Sequence, residues 1–154
     1  MISNCMKLNV VSIQASATIR EAAKKMNKYH IGFLPVVDVE KKLIGIVSLP
    51  DLLSLELPSF FNLINDLDFV SEFGAIEMNR PSAEEIDQPV TTLMQPARAV
   101  AEDSGLLFTY ALMLKLNLSD LPVTNESNTL VGIVSRVDIG TTILANWDEI
   151  KELH

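Results

Sequence analysis

The sequence predicts an α+β protein built from two tandem β-α-β-β-α units packed about a pseudo-two-fold axis. Two observations predict it. Residues 12–51 align with residues 99–138 at a constant offset of 87 without a gap, giving eleven identities between 26 and 51. These are Met26, Lys28, Leu34, Pro35, Val36, Leu43, Gly45, Ile46, Val47, Ser48 and Asp51, each repeated 87 residues later. Within each copy, short β-branched runs alternate with one stretch of helical period. One such unit has too few layers to cover its own apolar face, whereas two copies bury those faces against each other.

The elements follow in order. Val10 to Ile13 is short and β-branched, as a strand requires. Thr18 with Glu21 three residues on forms a capping box, so a helix starts there, with Ala22, Met26 and Tyr29 along one stripe and His30 at its end. Leu34 to Val37 and Leu43 to Val47 are apolar runs joined by the polar turn Asp38 to Lys42, a hairpin signal. Pro35 donates no ladder hydrogen bond and is expected at an edge or strand start. Ser48 opens a second helix, with Pro50 in its first turn and Asp51 near its positive end. Copy two repeats the order through Arg98–Ala101, Ser104–Asn117, Leu121–Thr124, Leu130–Val134 and Ser135 to about Lys151. The stripe Leu106, Leu107, Tyr110, Met113, Leu114 reads as core. Phe108 and Leu112 make that helix apolar nearly all round, which predicts burial on two sides and a contact between two modules.

Charge divides the chain further. Residues 54–89 hold eight acids and one base, against a net charge of −8 for the whole protein, so an acidic middle separates two nearly neutral segments. The expected organisation is a first repeat at 1–56, an insert at 57–89 and a second repeat at 90–154, together one compact module. The insert carries Phe60, Phe61, Phe69 and Phe73. Flexible linkers do not spend aromatics that way, so their packing on the body, or a partner surface, is expected.

Composition excludes several functions. A pI near 4.7 works against nucleic-acid binding through phosphate neutralisation. Hydrophobic content of 48% argues for a folded chain, and nowhere do eighteen apolar residues run together as a helix spanning a bilayer needs. The lone Cys5 and the absence of a signal-like start predict a cytoplasmic protein. His30, His154 and Cys5 have no metal-site spacing, and Asp66-Leu67-Asp68 does not continue into a calcium loop. No metal, no required cofactor and no catalytic residue is expected.

The best-matched element is Gly45-Ile46-Val47-Ser48-Leu49-Pro50-Asp51, recurring as Gly132-Ile133-Val134-Ser135-Arg136-Val137-Asp138. Ser-x-x-Asp is close to a capping box, so capping alone would account for Ser48 and Asp51. Gly45 and Gly132 are less easily explained, since glycine weakens a strand unless something approaches its backbone. With the apolar-proline-apolar strand before it, this doubled motif resembles the signature of the CBS domain family. Met6 and Met94 also sit where that family has a methionine, at an offset of 88.

The resemblance implies a stand-alone CBS pair, or Bateman module, that binds an adenosine-containing ligand such as AMP, ADP, ATP, adenosine or S-adenosylmethionine. In that family the aspartate holds both ribose hydroxyls, the serine contacts ribose or phosphate, and adenine enters an apolar slot. Carried over by position, Asp138, Ser135 and Ile133 join Asn9, Val11, Ile31 and Gly32 of copy one. In the mirror site Asp51, Ser48 and Ile46 join Ala97, Ala99, Leu118 and Ser119. Arg98 and Arg136 are the cations placed to meet an anion. Basic residues that phosphate-rich ligands would favour before the apolar-proline strand are replaced by Gly32-Phe33 and Ser119-Asp120, which predicts no preference for ATP over AMP. Two functions remain open: a homodimeric ligand sensor acting through a change of dimer shape on a protein partner, and an interaction scaffold whose motif residues only cap helices.

Overall fold

The computed structural model of the chain describes residues 1–56 and 80–152, with side chains to Trp147. The four phenylalanines of the acidic insert lie outside the described residues. Repeat one comprises β1 (Ile13–Gln14), α1 (Ile19–Tyr29), β2 (Phe33–Val37), β3 (Leu43–Ser48) and α2 (Leu49–Leu53). A short helix, α3 (Ala83–Ile86), follows the insert. Repeat two comprises β4 (Val100–Ala101), α4 (Leu106–Lys115), β5 (Asp120–Thr124), β6 (Leu130–Ser135) and α5 (Arg136–Glu152). Each repeat forms a three-stranded sheet, β1-β2-β3 or β4-β5-β6, in which the first pair is parallel and the second antiparallel. The expected β-α-β-β-α order is present twice.

Local chemistry accounts for the helix boundaries. Thr18 Oγ1 accepts from Glu21 N–H at 3.2 Å while Glu21 Oε2 accepts from Thr18 N–H at 3.0 Å, closing the capping box that starts α1. His30 (φ 54°) and Asn117 (φ 52°) turn left-handed just past α1 and α4. Ala22 and Met26 are buried on α1, but Tyr29 lies outside the stripe, 47% exposed, with Lys28 Nζ 5.2 Å from its ring centre.

The first strands are shorter than the β-branched runs suggest. β1 starts at Ile13 rather than Val10: Val10 N–H donates to Leu8 O at 3.1 Å, and just upstream the chain pairs with the other repeat through Lys7. Lys7 N–H donates to Ile133 O at 2.8 Å and Ile133 N–H to Lys7 O at 3.0 Å; Gln95 and Ile46 exchange the same bonds at 2.8 and 3.0 Å. This also corrects the placement of Pro35, which lies inside the middle strand of its sheet. Ile46 spends both backbone groups on Gln95, so the opposed pair Pro35/Ile46 is not hydrogen-bonded and the proline nitrogen faces the β1 side. There β1 pairs only with Val36 and Val37, and the missing donor at Pro35 leaves no ladder bond broken. Pro122, opposite Ile133, repeats the solution.

The two cores exchange their leading segments. Ile2, in a 3-10 turn at the start of the chain, is fully buried in the repeat-two core with Met113, Leu121, Val123, Val134 and Ile139. Val90, in the matching 3-10 turn, is fully buried in the repeat-one core with Met26, Leu34, Val36 and Val47. Backbone bonds hold both: Ile2 N–H to Ser104 O at 2.9 Å, and Val90 N–H to Ala17 O at 2.8 Å. The hairpin tips also join, through an antiparallel bridge between Lys42 and Thr129.

On α4 the expected stripe is only partly core. Met113 and Thr109 are buried, the latter with its hydroxyl donating to Gly105 O at 2.8 Å, whereas Leu107, Phe108 and Leu114 are 71%, 68% and 52% exposed. Helical periodicity could not separate these sides because nearly every position on α4 is apolar.

Candidate ligand clefts

The two motifs stand where β3 meets α2 and where β6 meets α5. At the second, Ser135 N–H donates to Asp138 Oδ2 at 3.1 Å and Asp138 N–H donates to Ser135 Oγ at 3.0 Å, a reciprocal capping box. At the first, the N–H and hydroxyl of Ser48 both donate to Asp51 Oδ2 at 2.8 Å. Capping therefore occupies one carboxylate oxygen in each motif. The other oxygen is turned toward the segment entering from the opposite repeat. Asp51 Oδ1 accepts from Gln95 Nε2 at 3.4 Å, and Asp138 Oδ1 lies 4.0 Å from Lys7 Nζ.

The motif glycines have a packing explanation. A Cβ on Gly45 would collide with Met94 Cγ and lie 2.9 Å from Gln95 O; on Gly132 it would lie 2.7 Å from Met6 Sδ and 3.1 Å from Lys7 O. The close approach expected at these positions is made by the methionine and backbone of the crossing segment, and the glycines are accounted for without a ligand.

The backbone pairing brings Ile133, Ser135 and Asp138 to the segment leading into Asn9 and Val11, and Ile46, Ser48 and Asp51 to the segment leading into Ala97 and Ala99. Ile133 and Ile46 are half-buried, Asn9, Ala97 and Ala99 exposed, and Val11 half-buried. The other carried-over residues contact their own repeat. Gly32 O accepts from Leu49 N–H at 2.8 Å and Ser119 O accepts from Arg136 N–H at 3.1 Å, so Ile31-Gly32 and Leu118-Ser119 abut the start of the second helix within the same copy. Their assignment to the opposite cleft rests on the family resemblance alone. Ser119 Oγ donates to Asp120 Oδ2 at 3.1 Å. Arg136 is half-buried and Arg98 exposed.

Lys7 and Gln95 were not among the residues expected from the sequence. The usable signal is the Met6/Met94 match, which places both one residue later at an offset of 88. Cys5, one residue before Met6, has its thiol pKa raised by burial and by the nearby Asp138 charge.

A cavity of about 510 Å³ lies elsewhere. Ile19, Met26, Leu49, Leu52 and Leu53 line it, with Ile31 and Gly32 at one side and Glu56 and Pro81, which bracket the undescribed residues, also in its wall. Neither motif carboxylate lines it. Among the described residues no cluster of His, Cys, Asp and Glu could hold a metal ion, and no helix is long and apolar enough to cross a membrane.

Comparison with known proteins adds one family model, one relative and two solved structures. The CBS domain family model matches residues 2–57 and 89–143. The uncharacterized 17.7 kDa protein of the bps2 3′ region of Acidianus ambivalens is 25% identical over 144 residues, 93% of this chain and 73% of that protein. The crystal structure of CBSX2 in complex with AMP, a protein of Arabidopsis thaliana, superposes with a TM-score of 0.70 at 23% identity, covering 94% of this chain and 96% of that one. The CBS domain pair of MJ0100, solved with 5′-methylthioadenosine and S-adenosyl-L-methionine, gives a TM-score of 0.65 at 21% identity over 95% and 97% of the two chains. At these identities the two structural likenesses are of fold. This chain spans 48% of MJ1225 of Methanocaldococcus jannaschii and 22% of the inosine-5′-monophosphate dehydrogenase of Aquifex aeolicus.

Proposed function

Because the chain belongs to the CBS domain family, with two CBS repeats, we propose that it is a regulatory module that binds an adenosine-containing ligand and performs no chemistry on it. The observation that carries the reading is the division of labour within each motif carboxylate. Oδ2 of Asp51 and of Asp138 caps a helix, while Oδ1 stands at the seam between repeats. An ionised carboxylate so placed can accept from vicinal ribose hydroxyls. The fold's occurrence with AMP in CBSX2, and with S-adenosyl-L-methionine and 5′-methylthioadenosine in MJ0100, supports that ligand class. In this reading Asp138, Ser135 and Ile133 work with Asn9, Val11, Ile31 and Gly32. Asp51, Ser48 and Ile46 work with Ala97, Ala99, Leu118 and Ser119, and residues 1–56 and 90–154 act as one module.

Titration calorimetry with adenosine, AMP, ADP, ATP and S-adenosylmethionine tests it: at least one should bind in the micromolar range, with ATP no tighter than AMP. Asp138→Asn should keep the fold, since the amide oxygen can still accept from Ser135 N–H. Affinity at that cleft should fall by about 1.5–3 kcal/mol, the worth of a hydrogen bond to a charged group, which is roughly ten- to a hundredfold. Silence of all five ligands to millimolar concentration, with ligand-free protein, would sink the proposal.

A second reading, an interaction scaffold, is favoured by the caps themselves and by the methionines that account for Gly45 and Gly132. It becomes the conclusion if both Asp51→Asn and Asp138→Asn bind as the parent does.

We also propose that the module is a cytoplasmic homodimer that reports its ligand to a protein partner through dimer shape. The apolar face of Leu107, Phe108 and Leu114 on α4, with Trp147 of α5 57% exposed, supports the assembly. Light scattering should return twice the 17.0 kDa of the chain; a monomer mass across micromolar concentrations would remove it.

A further inference from the structure

We infer that Lys7 and Gln95 make the two clefts unequal: Lys7 fits the Asp138 cleft to an adenosyl ligand with an anionic 5′ substituent, and Gln95 leaves the Asp51 cleft to an uncharged or cationic one. The inference rests on the adenosyl reading of the clefts and deepens it. Met6-Lys7 and Met94-Gln95 occupy matched places in the two repeats. Each pair is fixed by the same two devices. The methionine side chain covers the opposite glycine, and the next residue exchanges both backbone hydrogen bonds with Ile133 or Ile46. The frames therefore match, and the side chains differ in charge.

Lys7 Nζ lies 4.0 Å from Asp138 Oδ1, and Gln95 Nε2 lies 3.4 Å from Asp51 Oδ1. The Asp138 carboxylate has a cation to balance it, whereas the Asp51 carboxylate has a neutral amide. An incoming phosphate approaches a paired carboxylate in the first cleft and, in the second, a carboxylate with no cation within 4.0 Å among the described residues. The Lys7 side chain is 67% exposed, so its ion pair adds little to folding. Its consequence is felt by a charged group entering the cleft, where water is partly displaced and screening is weaker.

Exchange of the two side chains tests this, with each cleft isolated by the other's asparagine variant. In the Asp51→Asn protein, Lys7→Gln should lower the affinity for AMP relative to adenosine roughly fivefold, the scale of one partly screened charge pair. In the Asp138→Asn protein, Gln95→Lys should raise that ratio by a similar factor. Both effects should shrink as salt rises from 50 to 500 mM, while adenosine binding stays nearly constant. Arg98 and Arg136 are unchanged throughout and cancel from the comparison. Lys7→Gln and Gln95→Lys alter exposed side chains and should leave the backbone bonds in place, which thermal melts of both variants check. If adenosine binds but the AMP-to-adenosine ratio ignores both substitutions, the assignment of Lys7 and Gln95 is overturned and the adenosyl reading stands. If AMP and adenosine are silent while another of the five ligands binds, the assignment of Lys7 and Gln95 is overturned and the adenosyl reading stands; if all five are silent, the adenosyl reading falls and takes this inference with it.

Discussion

Ile2→Ala should destabilise the protein by about 3 kcal/mol, within the usual range for truncating a buried isoleucine. A second residue of a chain is normally expendable, because termini are rarely tied down. Ile2 is instead fully buried, in a core whose other members come from residues 100–139, and its N–H donates to Ser104 O. Urea denaturation followed by far-ultraviolet circular dichroism measures the loss. Val90→Ala, the equivalent truncation in the other core, should act in the same direction with a smaller magnitude because fewer methyl groups are removed. A change below about 1 kcal/mol for Ile2→Ala, the scale of an exposed-site substitution, would mean that the leading segment does not belong to that core.

Gly45→Val should be of similar size, costing about 3 kcal/mol, at the upper end of what overpacking does. Even the first carbon of the new side chain collides with Met94 Cγ and meets Gln95 O at 2.9 Å. The methionine can turn away, but the carbonyl belongs to a backbone hydrogen-bonded to Ile46 and cannot. Hence Met94→Ala should rescue Gly45→Ala only in part. Gly32→Ala is the control, since its Cβ would meet nothing nearer than Leu49 Cβ at 3.7 Å. Equal melting temperatures for the Gly45 and Gly32 variants would show that the crossing segment is not held against β3.

The features legible in the sequence are those that local chemistry or internal repetition encodes. The duplication shows as repetition, and the Thr18 and Ser135 capping boxes, the Asp38–Lys42 hairpin and the helix end at His30 each depend on a few neighbouring residues. Features involving a partner some forty or more residues away were not. Val10 looks like a strand residue because β-branching records local preference, yet it lies outside β1, just past the Lys7 bridge to the other repeat. Gly45 announces a close approach without naming Met94 as the cause. Leu107 and Leu114 read as core because an all-apolar helix has no periodicity with which to point. In the clefts, the doubled motif picked out Asp51 and Asp138, but the groups on their second oxygens, Lys7 and Gln95, belong to no pattern that a single motif displays.

The exchange of leading segments bears on how the duplication arose and what it now prevents. A lone copy of this unit would carry an arm with no core to enter and a core with a gap, so two separate copies would have to trade arms. Joining them in one chain raises the effective concentration of each arm at its socket and makes assembly independent of dilution. It also binds the evolutionary fates of the halves. Neither can drift to fit a new neighbour without re-fitting a residue encoded in the other, and a fragment of either repeat alone carries an unfilled socket into solution.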